Sequence, residues 1–324
     1  MSHTQYYPGA GPNHIDAGWK PISGNELSFG IWGASDTHMF YSRGMQYSDE
    51  LGSTGVAHFA LNSTIDTVVE SRIVKETYLG SFPTSMALSP DRTKLLTVLS
   101  KYYNSSRGAL WEIDVNTGSH RIILDSTANV VSARYLPDGV GIIYYTRSDA
   151  GLNDGYYYHN LVTSADSLVL SRTHLPTYSF ALGFDIRPDG RKLIFSAEAA
   201  SQYPPPPSKI VEYDLLTHTM DTLSFSIGRG VQVWLRYNHS GTKMLYCSQY
   251  PGDGTYPPES KIGILELATH AETPLNVRTD SSPVTWVLAY NPEWNWDDSK
   301  ILFIGGYGSG EGNGYLTLWV LTRF

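Results

Sequence analysis

The sequence has few cysteines, few charged residues and no long apolar run, and each shortage excludes a class of protein. Cys247 is the single cysteine, so the chain can form neither an intrachain disulfide nor a zinc site built from several cysteines. Charged residues make up 17% of the chain, against about 25% in typical domains, and the net charge is −8. This balance disfavours a nucleic-acid partner, which requires a basic face. No apolar run reaches the roughly 18 residues of a membrane-spanning helix.

Aromatic residues and turn formers are abundant instead. The chain holds 23 Tyr, 8 Trp, 30 Gly and 18 Pro, and 41% of its residues are hydrophobic, which excludes a disordered protein. This composition predicts short strands separated by many turns. Residues 1–24 are polar and lack the basic start and apolar stretch of a signal peptide. The sequence has few Lys and many Tyr, Ser, Thr and Asn, which still favours an exported protein that is periplasmic, at the cell surface or secreted. A cytoplasmic protein is the alternative.

One sequence pattern recurs along the chain: an apolar stretch, a turn with Pro or Gly, often a Lys, and a second apolar stretch. It covers residues 86–97, 133–144, 184–195, 235–246 and 289–303, with a degenerate copy at 32–41. The turn residues that serve as anchors are Asp36, Pro90, Pro137, Pro188, His239 and Pro292, spaced by 54, 47, 51, 51 and 53 residues. A fixed period of this length is typical of repeat architectures.

A second turn signal follows each of these segments. It is an acidic or amide residue followed by Thr three positions later, at 114–117, 160–163, 214–217 and 266–269, with 61–64 as a weak version. Each unit therefore predicts four short antiparallel strands, which we call a to d, with tight a–b and c–d turns. Six such units predict an all-β, six-bladed β-propeller in a single domain covering 1–324, because a β-sandwich would not repeat at this period. The expected blades are about 26–80, 81–127, 128–174, 175–227, 228–280 and 281–324.

The turn sequences Ser-Pro-Asp at 89–91 and Arg-Pro-Asp-Gly-Arg-Lys at 187–192 resemble the repeat of TolB-like, WD-like propellers. The resemblance covers about residues 26–324, and it implies the fold rather than an activity. That family mixes periplasmic scaffolds, domains of peptidases and sugar-active proteins. Asp36 and His239 depart from the repeat, since proline is expected at both. The turn is structural in this family, so the resemblance carries no catalytic residue over to this chain.

The last unit lacks a fourth strand at its C-terminal end. Its strand c is expected at 315–321, and the chain then ends at Phe324. A spare segment at 14–22 precedes the first blade. We expect this segment, within residues 1–25, to pair with residues 316–321 and close the ring, which would remove an open strand edge.

Motifs for catalysis or metal binding are weak. There is no Gly-x-Ser-x-Gly nucleophile elbow, and the glycine-rich stretch 308–314 lacks the lysine of a phosphate-binding loop. His38, His58, His120, His174, His218 and His270 show no metal-ligand spacing, and 149–155 is a poor match to a calcium loop. We therefore expect no catalytic residue, no metal and no cofactor. Oligogalacturonate lyases are propellers with a His-based metal site, which keeps a sugar-active enzyme as an alternative.

Two groups of residues have uncommon positions in the repeat. Arg134, Asp185 and Arg236 each lie three residues before the anchor of neighbouring blades, which predicts an Arg–Asp–Arg network between blades or a polar lining of the channel. Trp294 and Trp296 lie in an insertion within the last a–b turn. They are expected either to fold back over the blade or to form a contact with a protein partner.

The b–c loops are long and individual, and they carry tyrosines. They span about 42–55, 100–108, 146–155, 196–208, 248–260 and 305–314, and the candidate ligand-binding residues in them are Tyr47, Tyr102, Tyr203, Tyr250, Tyr256 and Tyr307. Function usually lies on such loops, and Tyr suits a peptide or a glycan; the same tyrosines could instead cap the blade ends. The sequence thus predicts a monomeric, non-catalytic binding propeller with a protein or glycan partner. The alternatives are a sugar-active lyase or hydrolase with a metal- or carboxylate-based site, and a regulatory relative of peptidase propeller domains.

Overall fold

The computed structural model describes the part of the chain that forms regular structure and its tight turns. The described residues are 14–17, 27–32, 38–43, 55–60, 83–100, 108–147, 154–174, 183–197, 209–226, 232–250, 259–275, 288–309 and 313–321. Within these ranges the fold is all-β, with two short 3-10 helices at Ser126–Ala128 and Arg172–His174. Neither of these helices is long and apolar enough to cross a membrane.

The strands follow one another at short intervals. In chain order they are β1 His14–Ala17, β2 Leu27–Trp32, β3 His38–Arg43, β4 Gly55–Ala60, β5 Pro83–Leu88, β6 Lys94–Ser100, β7 Gly108–Asp114, β8 His120–Leu124, β9 Val130–Tyr135, β10 Gly141–Thr146, β11 Gly155–Asn160, β12 Asp166–Ser171, β13 Phe184–Ile186, β14 Lys192–Ala197, β15 Lys209–Asp214, β16 Met220–Ser226, β17 Gln232–Tyr237, β18 Lys243–Tyr250, β19 Glu259–Glu266, β20 Glu272–Leu275, β21 Leu288–Trp294, β22 Ile301–Ser309 and β23 Asn313–Leu321. Neighbouring strands pair antiparallel.

The described strands belong to two compact units. One unit comprises Met1–Asn25, Asn62–Thr67 and Thr177–Phe324, and it contains the sheets β13–β16, β17–β20 and β1-β23-β22-β21. The other comprises Glu26–Leu61 and Val68–Pro176, with the sheet β2–β4 and the two four-stranded sets β5–β8 and β9–β12. The two sets are joined by one bridge between Gly108 and Val130.

The a–b turns share one hydrogen-bond pattern. Each turn has six residues. The N–H of the first residue donates to the carbonyl of the sixth, as from Arg187 to Lys192 at 2.8 Å. The N–H of the fourth residue donates to the carbonyl of the first. The fourth residue takes a positive φ in the five turns described, at Arg92, Gly139, Gly190, Gly241 and Asp298. Left-handed backbone favours Gly and tolerates Asp, which accounts for the recurrence of Gly after Pro-Asp.

The c–d turns have a pattern of their own. The Asp214 carboxylate accepts the N–H groups of Leu216 at 2.9 Å and Thr217 at 2.8 Å, and Asp114 acts in the same way. These bonds, first of all the one from the backbone of Thr217, lower the pKa of Asp214. The residue after Thr has a positive φ, as at His218 and His270, so both histidines lie in c–d turns.

The hydrophobic cores lie between successive sheets. One cluster joins Leu96 and Leu110 of β5–β8 to Ile142 of β9–β12. In the other unit, one cluster joins Ile194 to Leu235, and another joins Ile264 to Trp294 and Phe303. Within each unit, these clusters pack one sheet or strand set against the next, in the way that stacked repeats require.

The last a–b turn lies four residues later than the sequence pattern predicts. Its six residues are 295–300, because Asn295 N–H donates to the Lys300 carbonyl at 3.0 Å and Asp298 N–H donates to Asn295 at 3.1 Å. The residue equivalent to His239 is therefore Trp296, and the anchor assigned to Pro292 is wrong. The pairing of β21 with β22 shifts register between Tyr290 and Glu293, so a bulge absorbs the additional residues.

The N-terminal segment pairs with the last strand. β1 lies antiparallel to β23 with His14 opposite Leu321 and Ala17 opposite Leu318. The strand pairing expected for residues 14–22 is therefore present over His14–Ala17, and it supplies the outer strand of the β21–β23 sheet.

Candidate functional site

We call the first strand of each four-stranded set, strand a, its inner strand. Two inner strands, β9 and β17, carry an arginine that bonds to the neighbouring strand set. Arg134 on β9 donates from Nη1 to the carbonyl of Met86 on β5, 2.7 Å away, and to its own neighbour Ala133. Arg236 on β17 repeats this arrangement with the carbonyls of Phe184, at 3.3 Å, and Leu235, at 2.7 Å. Both guanidinium groups therefore donate to backbone carbonyls at the edge of a sheet. A buried carbonyl without a donor there would destabilise the fold.

The carboxylate that receives the Nε hydrogen bond of Arg236 is Glu293 on β21, 2.7 Å away. Glu293 was not among the residues selected from the sequence. It lies three residues before Trp296, so it occupies the same repeat position as Arg134, Asp185 and Arg236. Aligning Asn295 and Lys300 with Asn238 and Lys243 would have revealed it.

Asp185 occupies this position on β13. Its Oδ2 accepts the backbone N–H of Tyr237 on β17 at 2.8 Å. Burial raises the pKa of Asp185 well above its usual value, and the negative charge of Glu293 raises it further. The half-buried carboxylate thus accepts a backbone donor of the next sheet, and the Arg–Asp–Arg network expected from the sequence stays a prediction.

Two buried Glu–Tyr pairs connect neighbouring sheets at equivalent positions. Glu112 on β7 accepts from the Tyr135 hydroxyl at 3.0 Å and from Arg121 Nε at 2.7 Å. Glu212 on β15 accepts from the Tyr237 hydroxyl at 2.6 Å and from Lys192 Nζ at 2.7 Å. Burial and the adjacent glutamate raise the pKa of both tyrosines, so each hydroxyl remains a donor. These pairs carry no local sequence signal, because the partners lie on different sheets.

We call the contact between the β13–β16 and β17–β20 sheets the first junction, and the contact between β17–β20 and β21–β23 the second junction. In the first, a Cβ added to Gly241 would lie 3.3 Å from Pro188 and 3.2 Å from the Arg187 Nε, so the two turns approach closely. In the second, Asp298 replaces the glycine and accepts the His239 N–H at 3.1 Å and its Nδ1 at 2.7 Å. His239 departs from the repeat's proline, and its N–H is the donor that proline lacks.

The two tryptophans have different surroundings. Trp294 is 4% exposed and packs with Ile264 and Phe303, and its Nε1 donates to the Arg236 carbonyl at 3.4 Å. This burial corrects the hypothesis of a partner contact for Trp294, because a side chain in the core is not accessible. Trp296 is half-buried, and its ring lies 5.1 Å from the ring of His239.

Of the candidate tyrosines, Tyr47, Tyr102, Tyr203 and Tyr256 lie outside the described residues. Tyr250 and Tyr307 were expected in loops and are strand residues. Tyr250 is the last residue of β18, opposite Glu259, and Tyr307 in β22 is opposite Tyr315. The strands on either side of these two b–c connections are therefore longer than the sequence predicts.

Within the unit that contains β13 to β23, three strands run in the same direction. Phe184 and Asp185 of β13 meet Arg236 and Tyr237 of β17, and Arg236 and His239 in turn meet Glu293 and Asp298 of the β21 segment. The strands β14, β18 and β22 therefore end at the edge opposite the tight a–b turns, and the b–c connections start there. Within the described ranges no group of three or more His, Cys, Asp or Glu residues is arranged to hold a metal ion.

Comparison with known proteins gives the fold. No protein-family model matches the chain, and no curated protein matches it. One similar solved structure is the β-propeller domain of the Trilobed protease from Pyrococcus furiosus, which is described as having an open velcro topology. It is 12% identical in sequence, with 91% of this chain and 82% of that chain covered, and the TM-score is 0.52. The chain has a β-propeller fold.

Two further solved structures with a similar fold have names that indicate different functions. A putative TolB from Agrobacterium tumefaciens is 14% identical over 90% of this chain and 89% of its own, with a TM-score of 0.53. An oligogalacturonate lyase from Vibrio parahaemolyticus is 16% identical over 92% and 78%, with a TM-score of 0.53. At these identities the likeness establishes the propeller fold and leaves the function to the residues of this chain.

Proposed function

We propose that this protein is a non-catalytic binding propeller that recognises a peptide segment of a protein partner, or a glycan, at the edge bearing the b–c connections. The observation that carries the proposal is the common direction of β13, β17 and β21, so that the b–c connections of this unit start at one edge. Tight, repeated turns occupy the opposite edge. Recognition loops are commonly displayed in this way on a rigid scaffold.

The inner charged residues support a binding role over a catalytic one. Arg134 and Arg236 donate to backbone carbonyls, and Arg236 also pairs with Glu293. The buried glutamates Glu112 and Glu212 accept from tyrosines of the next sheet. These groups hold sheets together, and the tyrosine-bearing connections are left as the surface for a ligand.

We also propose that the sheets are six blades of one ring in a single domain, with β1 as the outer strand that closes the last blade. The pairing of β1 with β23 supports this arrangement. The protein would act as an exported monomer, with no nucleic-acid partner. This part of the proposal rests on the repeat, on the residue usage and on the net charge of −8.

The experiment is a variant with Tyr102, Tyr203, Tyr250 and Tyr307 all changed to alanine, screened against a glycan array and a phage-displayed peptide library. Its matched control is Val162→Ala with Leu216→Ala, at tight-turn residues that are 77% and 72% exposed. We expect the tyrosine variant to melt like the wild type and to lose at least about tenfold in affinity, roughly 1.4 kcal/mol. Equal binding by the wild type and the tyrosine variant would contradict the proposal.

The competing proposal is a sugar-active lyase or hydrolase, and the named lyase among the fold neighbours makes it worth one direct assay. Purified protein is incubated with oligogalacturonate and divalent cations, and new unsaturated or reducing ends are measured. Turnover that disappears with a chelator would replace the binding proposal.

A further inference from the structure

Three charged residues lie side by side at the edge of the β9–β12 set where the b–c connection between β10 and β11 starts. Gly155 of β11 is opposite Thr146 of β10 and Ser171 of β12. The N–H of Arg172 donates to the carbonyl of Asp154 at 3.0 Å, which continues the pairing of β11 with β12 by one residue. The residues that follow outward on the three strands, which we call the charged row, are Arg147, Asp154 and Arg172.

Two members of the charged row form an ion pair with unequal exposure. Arg172 donates from Nη1 to Oδ2 of Asp154 at 2.9 Å. The side chain of Asp154 is fully buried, whereas that of Arg172 is 41% exposed. Among the described residues the Arg172 side chain bonds to Asp154 alone, and this bond uses one of the five N–H donors of the guanidinium. Arg172 therefore presents a guanidinium to water in a fixed orientation.

The third member of the row adds a second guanidinium near the same point. Tyr145 precedes Arg147 by two residues on β10, so the two side chains lie on one face of the sheet. Burial raises the pKa of Tyr145 to about 12, and the charge of Asp154 raises it further, while those of Arg147 and Arg172 lower it. The charged row thus surrounds one tyrosine hydroxyl, and it holds more positive than negative charge in a chain whose net charge is −8.

We propose that Arg172 is the binding site for an acidic side chain, Asp or Glu, of a peptide that this protein recognises. The inference rests on the proposed binding function and names the chemistry of the ligand. A guanidinium pairs with a carboxylate through two parallel N–H bonds, a geometry that a lysine does not offer. The bond to Asp154 orients Arg172 before the ligand arrives, which reduces the entropy lost on binding.

A peptide suits this site better than an acidic glycan. A polyuronate has a carboxylate on every sugar ring, so it would need a track of cations along its path. The charged row offers one guanidinium with an exposed side chain, Arg172, beside a half-buried Arg147. One acidic side chain requires no more than this, and a chain of repeated carboxylates would be repelled by the net charge of −8.

The test is a double-mutant cycle between the protein and a peptide that the wild type selects from a phage-displayed random library. Each acidic residue of the peptide is changed to its amide in turn. We expect Asp or Glu to be enriched among selected peptides, and Arg172→Gln to weaken binding of the acidic form by about tenfold or more. The amide form should bind the wild type and Arg172→Gln equally well. Arg191→Gln, which removes a 58% exposed arginine side chain at a tight a–b turn, is the matched control and should bind like the wild type.

A second variant separates binding from folding, because Arg172→Gln takes a donor away from a buried carboxylate. Asp154→Asn combined with Arg172→Gln removes both charges and leaves two amides that can bond to each other. We expect this double variant to melt like the wild type and to show the same loss of affinity for the acidic peptide.

The outcomes distinguish this site from the binding function itself. Selected peptides without an acidic preference, or an acidic peptide bound equally by the wild type and the double variant, would overturn the role of Arg172 and leave peptide recognition intact. Failure of the wild type to select any peptide would contradict both. Trigalacturonate is the second probe, and binding of it that depends on Arg172 would assign the site to a uronic acid and overturn the acidic peptide.

Discussion

The first and second junctions place their polar and apolar contacts in opposite ways. In the first, a buried Glu212–Tyr237 hydrogen bond lies inside and a close contact between Gly241 and Pro188 lies at the turn. In the second, the equivalent inner residues are Ile264 and Trp294, packed in an apolar cluster, and a hydrogen-bonded pair of His239 and Asp298 lies at the turn. Equivalent positions of the two junctions can thus hold either a polar pair or an apolar pair, provided that both residues of the pair are exchanged together.

The largest effect is expected from breaking the apolar interior of the second junction. Trp294→Ala should lower the free energy of unfolding by about 4 kcal/mol, because it removes a large side chain from a close-packed cluster. Trp296→Ala, two residues further along the chain in the half-buried turn, should cost less than about 1 kcal/mol. Denaturant unfolding of both variants gives the comparison, and equal losses would show that the cluster is not the main support of this junction.

Removing the outer strand of the same sheet should have the next largest effect. Deleting residues 1–24 eliminates the pairing of β1 with β23, at about 3 kcal/mol for four paired residues, and leaves an open strand edge. Deleting residues 1–12 retains His14–Ala17 and should leave the melting temperature unchanged. If deletion of residues 1–24 left the melting temperature unchanged, closure of the last sheet by β1 would be contradicted.

The polar interior of the first junction is tested by Tyr237→Phe. The hydroxyl that donates to Glu212 is lost while the ring remains, so a buried carboxylate keeps only Lys192 as its side-chain donor. We expect a loss of about 2 kcal/mol. Tyr213→Phe, which removes a hydroxyl bonded to the exposed His218, should cost less than about 0.5 kcal/mol, since water can replace it. A similar loss for both would mean that the junction does not depend on its buried carboxylate.

The smallest effect on stability is expected when the turn residues of the second junction are exchanged for those of the first. His239→Pro removes the N–H that Asp298 accepts, and Asp298→Gly removes the acceptor, each at about 1 kcal/mol. The double variant has the Pro–Gly combination of the first junction and should be less destabilised than the sum of the two. A double-mutant cycle measures this coupling, and strict additivity would refute the paired exchange.

Sequence patterns predicted the turns well because their chemistry is local. Pro, Asp and Gly at fixed offsets from Lys specify the a–b turn, and Asp or Asn three residues before Thr specifies the c–d turn. Among the five described a–b turns, the misplaced one had a specific cause: the bulge in β21 shifts the register, and Pro292 imitates the anchor.

Contacts between sheets were harder to predict because their partners are distant in sequence. Arg236 was selected from the sequence for a network with Arg134 and Asp185, and its carboxylate partner Glu293 was hidden by the misplaced turn. Glu112 and Glu212 were missed, since a single glutamate in a strand does not show which tyrosine of the next sheet it will meet. The tyrosines in the b–c connections remain a prediction, with only Tyr250 and Tyr307 located on strands.

The pairing of His14 with Leu321 also bears on the order of folding. The two strands are about 300 residues apart, so their contact closes a very large loop and can form only after nearly all of the chain has been synthesised. The other sheets pair strands that are adjacent in sequence and can form earlier, as the chain emerges. The last sheet should therefore complete slowly, and until then a nascent chain presents the outer edge of β23 to other strands in the cell.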